Sequence, residues 1–211
     1  MTLRLLVPLL LFGVAAGTAL GQERHEAIHV ARPQAGARPA ALLYTDADLM
    51  FLTHMVVHHQ QAIDMAALVP ARSDREEFLK FARYTAGAQQ AEIDHMKALL
   101  QAAADRGQPA PQHEMGDDPP MGGMLSKAQM AALEAAGGVE FAKLWLQGMI
   151  RHHQGAIDMA LAQQQREFDS QRQPYGIASM ADDILTTQRG EIGMMKTWLT
   201  RWGLEDPVPE H

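Results

Sequence analysis

The nine residues 58–66, HHQQAIDMA, return at 152–160 as HHQGAIDMA with a single letter changed. Paired histidines with a methionine at fixed spacing are donors for a metal ion. Imidazole accepts several metals, and thioether sulfur favours soft ones such as Cu(I). An apolar core needs neither the histidines nor an accurate repeat of polar letters. On a helix each residue advances about 100°. Met55, His59, Ala62 and Ala66 then share one arc with Asp48, Leu52 and Ile63, the side that faces a core. His54, His58 and Met65 line its flank, and Asp64 points away. In the second copy Met149 and His153 take the arc, and His152 and Met159 the flank. A lone buried histidine is more often a hydrogen-bonded core residue, and a lone methionine a core filler. The duplication lifts these residues above that reading.

Further along each half lies a second related stretch, QQAEIDHMKALL at 89–100 and QRGEIGMMKTWL at 188–199. Glu92, His95, Met96 and Leu99 are expected on one helix face, as are Glu191, Met194, Met195 and Trp198. The carboxylates suit orienting a histidine and fixing its tautomer. The candidate metal ligands are Met55, His58, His59, Met65, His95, Met96, Met149, His152, His153, Met159 and Met195. A calcium or magnesium site would need oxygen ligands, and inward carboxylates are few. No catalytic residue and no organic cofactor are expected.

Composition narrows the choice. The chain has 211 residues and no cysteine, which removes disulfides and thiolate sites and leaves its 14 Met and 10 His as the softer ligands. A net charge of −7 argues against nucleic acid as a partner. Residues 1–21 hold Arg4, an apolar run and the small-residue ending Ala19-Leu20-Gly21, the pattern of a cleaved export signal. The expected location is the periplasm or the outside of the cell, with no membrane contact once the signal is removed.

These donors must be carried on helices. Residues 22–44 read as a flexible tether, and 45–204 as the folded unit. A first helix is expected from Thr45 or Asp46 to before Pro70. A second opens on the capping pattern Ser73–Glu76 and runs to Ala104. The Pro/Gly-rich connector 105–138 holds a short helix capped by Ser126 and Gln129, and its His113, Met115, Met121 and Met124 are a weaker metal-binding signal. A third long helix spans 139–167, and the last runs from Pro174 to Trp202 with Gly203 as its stop. The two hairpins, 45–104 and 139–204, cannot bury their apolar faces singly. Joined by one long crossover, they predict an all-α, ferritin-like four-helix bundle.

On these residues the sequence resembles the DUF305 family. The family phrase is met by Asp48, Phe51, Met55, His58, His59, Ala62, Ile63, Met65 and Ala66, and again by Met149, His152, His153, Ala156, Ile157, Met159 and Ala160. Its later Gln-x-x-Glu-Ile pattern is met by Gln89, Glu92 and Ile93 and by Gln188, Glu191 and Ile192. The resemblance implies a bacterial envelope protein that handles copper. Ala142 stands where the second copy should carry an Asp, and Trp145 replaces the Phe, so the halves are expected to be unequal.

The expected function is therefore exported binding of copper as Cu(I), with Ag(I) as a second soft ion, for buffering or tolerance and without catalysis. Copper-handling envelope proteins are the implied partners. Two alternatives stand beside it. Glu92-x-x-His95 imitates half of a ferritin-like di-iron signature, but Glu191-x-x-Met194 breaks the other half. A metal-free helical interaction module would satisfy the histidines with core Glu and Gln.

Overall fold

The first helix, α1 (Asp46–Ala67), opens on a reciprocal cap. The Thr45 hydroxyl accepts from the Asp48 N–H (3.1 Å), and the Asp48 carboxylate accepts from the Thr45 N–H (2.8 Å). Two of the N–H groups that a helix start leaves without partners are thereby satisfied. The same device, Ser126 with Gln129, opens α3 (Lys127–Ala135) as the spacing predicts. The Ser73–Glu76 box does not form. A 3-10 turn at Val69–Ala71 draws the Ser73 N–H onto the Val69 carbonyl (3.0 Å), and α2 (Glu76–Ala104) starts after Arg75 with no side-chain cap. Helix α4 (Gly138–Ser170) runs three residues beyond expectation and ends on Gln171, which takes a left-handed conformation (φ 53°). Pro174 is not the first residue of α5 (Ile177–Arg201). Its carbonyl closes a turn to the Ile177 N–H, and Gly176 at φ 78° precedes the helix. Gly203, at φ 65°, ends it as expected.

The computed structural model describes residues 44–111 and 121–205. The residues expected to form an export signal, most of the tether, and His113 and Met115 of the connector lie outside these residues. Among the described residues no helix is long and apolar enough to cross a membrane.

The chain is an all-α bundle. Helix α1 packs along α2, and α4 along α5, so each half is a hairpin, and α1 meets α4 to join the two. Helices α1 and α4 run antiparallel. Gln163 bonds Asp48 (2.8 Å), the rings of His58 and His152 lie 3.8 Å apart, and the Trp145 indole donates to the Met65 carbonyl (2.8 Å). The ends of the bundle differ. At one, Phe78, Phe81, Trp145, Trp198 and Trp202 meet in edge-to-face and stacked pairs. At the other, buried Asp48, Gln163 and Glu167 hydrogen-bond together, with Arg172 against Asp48. Asp48 holds a polar end together, whereas Ala142 and Trp145 belong to the apolar one.

Candidate metal centre

The repeated phrase places four histidines at mid-bundle, and His58, His59, His152 and His153 are all fully buried. Each has one nitrogen engaged. His59 Nε2 lies 2.6 Å from Glu92 Oε2, and His153 Nε2 lies 2.5 Å from Glu191 Oε2. His58 Nε2 donates to the Gly122 carbonyl (3.1 Å), and His152 Nε2 to the His58 carbonyl (2.9 Å). Carbonyl and carboxylate oxygens accept hydrogen bonds, so the proton resides on Nε2. In every one of the four, Nδ1 is buried and without a partner among the described residues. The neutral Nε2–H tautomer leaves a lone pair on Nδ1, the form in which imidazole binds a metal.

Burial enforces the neutral form at two positions. Desolvation pushes His58 from its ordinary 6.5 down to about 3, outweighing the Gly122 bond, and the neighbouring histidines add to the shift. His152 is held well below 6.5, first by desolvation and then by His58, His153 and His59. Both are neutral at pH 7. The carboxylates act at the other two. Glu191 is anchored through its second oxygen by the Thr85 hydroxyl (3.2 Å), so α2 braces the His153 partner on α5. Carboxylate–imidazole pairs of this kind orient metal-binding histidines.

Methionines fill the same core. Met55, Met65, Met96, Met149 and Met195 are fully buried. Met65 packs beside Gly148 and Leu125. Met159, its counterpart, is half-buried and lines a shallow cleft of about 250 Å³ with Phe51 and His54. His95 does not join the buried set. It is exposed, on the side of α2 near Gly176, while Met96 and Leu99 face the core. The reason is angular: the core line of α2 runs through Gln89, Ile93, Met96, Leu99 and Ala103, and position 95 lies about 100° off it. Met194 is 45% exposed for the same reason. Glu92 and His95 therefore do not present a joint Glu-x-x-His face to the interior. Asp64 and Asp158 accept from Gln60 and Gln154 at the surface, as expected of residues pointing away.

Among the described residues no group of three or more His, Asp or Glu side chains is arranged to hold a cation. The donors on offer are imidazole lone pairs and thioether sulfurs, a soft set that fits a copper-like ion and not a hard one. Two contributors escaped sequence reasoning, the Gly122 carbonyl and the Thr85 hydroxyl, and neither carried a signal in the sequence. Gln89 and Gln188, matched in the two repeats, are buried with no partner for their amides among the described residues.

The comparisons agree with this reading of the fold. The family model described as a domain of unknown function, DUF305, matches residues 48–174. The solved DUF305 fragment from Deinococcus radiodurans is 32% identical, with a TM-score of 0.64 over 74% of this chain and 97% of that one. A DUF305 protein from Streptomyces coelicolor is 29% identical, with a TM-score of 0.63 over 77% of this chain and 97% of that one. CopM in its Cu(I)-bound form is 30% identical, with a TM-score of 0.56 over 75% of this chain and 98% of that one. CopM has also been solved with Cu(II) and with Ag bound. No curated protein matches the chain.

Proposed function

Because the chain belongs to the DUF305 family, we propose that it is an exported protein that binds copper as Cu(I) through histidine and methionine, for buffering or tolerance. One observation carries the reading: four buried imidazoles, two in each repeat, keep Nδ1 without a partner among the described residues. Leaving a buried acceptor unpaired costs about 1–3 kcal/mol. A core that does so at equivalent positions of both repeats is suited to an electrophile. The soft donors favour a monovalent ion, with Ag(I) the second candidate. The likeness to CopM, which is known in copper- and silver-bound forms, supports the same choice.

In this reading the protein holds its ion as cargo and does not turn over a substrate. Its partners are the ion and copper-handling proteins of the envelope. The signal-like residues 1–21 support delivery to the periplasm or beyond. The test is equilibrium competition between purified protein and a chromophoric Cu(I) chelator. Tight binding that is lost in the folded His59→Ala/His153→Ala variant is expected. Equal binding by that variant, or preferential uptake of Fe(II) with oxygen consumption, overturns the reading.

A further inference from the structure

The one letter that differs between the repeats lies where the connector returns to the bundle. Position 61 is Gln, and its counterpart, position 155, is Gly. Gln61 holds the backbone of Leu125 with both amide atoms, donating to its carbonyl (2.9 Å) and accepting from its N–H (2.7 Å). Gly155 is bare because a Cβ there would overlap the Gly122 carbonyl. Both departures thus serve the same segment, Met121–Leu125, which is seated on α1 and α4.

Within that segment the Met124 N–H bonds back to the Met121 carbonyl (3.0 Å), and Gly123 has φ 84°. This is a β-turn with glycine where a positive φ is required, and such a turn brings its first and last Cα atoms within about 7 Å. Both of those residues are methionines, and both are half-buried. Gly122 between them is exposed, and its carbonyl receives the Nε2–H of His58.

We propose that the Met121-Gly122-Gly123-Met124 turn is an intake site: its two thioethers bind a soft monovalent cation before it passes to His58 and the buried histidines. The inference rests on the copper-binding reading above. Among the acceptors of the four histidines, Gly122 and Glu92 reach solvent, the latter with 22% of its side chain exposed. A carboxylate is a hard ligand and a thioether a soft one, so the turn is the route a soft ion prefers. The ion keeps its charge throughout and exchanges sulfur for an imidazole lone pair, with no electron transferred.

Two measurements test this. The Met121→Leu/Met124→Leu variant keeps side-chain volume and removes the sulfurs. In stopped-flow transfer of Cu(I) from a chromophoric chelator, it should load at least tenfold more slowly and reach the same final number of tightly held ions. Loading at the wild-type rate overturns the proposal, with the histidine site left standing. Separately, methionine-methyl NMR of the folded His59→Ala/His153→Ala variant is followed on addition of Ag(I). The Met121 and Met124 resonances should shift together. If they shift while the wild type holds no ion tightly, the turn is a site and the histidine reading fails. If they do not shift, the turn is not a site.

Discussion

Lowering the pH should unfold the metal-free protein through its buried histidines, and His58 allows the size to be worked out. In the unfolded chain His58 takes up a proton near 6.5, whereas burial in the folded state holds it at about 3. Between those values the unfolded state binds the extra proton, so stability falls as pH falls. The slope is about 1.4 kcal/mol per pH unit for one histidine. From pH 7 to 4.5 the loss is then about 2.5 kcal/mol for His58 alone. His152 shifts in the same direction for the same cause and adds to it. Glu167, raised first by its own desolvation, works weakly against the trend. A domain is typically stable by only about 5–15 kcal/mol, so the effect is measurable. Urea unfolding with chelator present, at pH 7 and 4.5, gives both free energies. The His58→Gln variant keeps an N–H donor for the Gly122 carbonyl and cannot titrate, so its acid loss should be smaller by about 2.5 kcal/mol. Equal acid losses in the two proteins would refute the reasoning, as would a wild-type stability that does not change over this range.

Other outcomes follow from single contacts. His153→Ala strips the buried Glu191 carboxylate of its imidazole and should cost about 3–5 kcal/mol in urea unfolding. His59→Ala should cost less, because Glu92 keeps contact with water. Trp145→Phe removes the indole donor from the Met65 carbonyl, which keeps the Leu68 N–H (3.2 Å), and the lost hydrogen bond should lower stability by about 0.5–1.5 kcal/mol in the same assay. Cu(I) at about a hundredfold excess over its dissociation constant should stabilise the wild type by about 2.7 kcal/mol, a thermal shift of several degrees that the His59→Ala/His153→Ala variant should not show.

Much of this architecture is legible in the chain because periodicity and duplication report on burial. The inward arc of Met55 and His59, and of Met149 and His153, is buried in α1 and α4, and the buried face extends to His58, His152 and Met65, which the periodicity placed on the flank. Local capping chemistry was readable where nothing competed for it, as at Ser126 and Gln129. It failed at Ser73, where a 3-10 turn claims the residue, and at Pro174, where the left-handed Gly176 delays the helix. His95 failed because it lies about 100° off the narrow core line of α2, on the exposed side near Gly176. The seat of the Met121–Leu125 segment could not be read, because it depends on a carbonyl and on the absence of a side chain. The changed letter in the repeat marked the place without giving its meaning.

All three tryptophans of the chain, Trp145, Trp198 and Trp202, sit at the aromatic end of the bundle. Trp198 and Trp202 are nearly parallel, with centroids 5.3 Å apart and planes 10° apart, an arrangement whose coupled transitions give near-ultraviolet circular dichroism. Tryptophan fluorescence therefore reports the integrity of that end alone. Loosening around Asp48 and Glu167 would escape it, and the natural spectroscopic reporters there are phenols, with the Tyr44 hydroxyl bonded to the Tyr175 carbonyl.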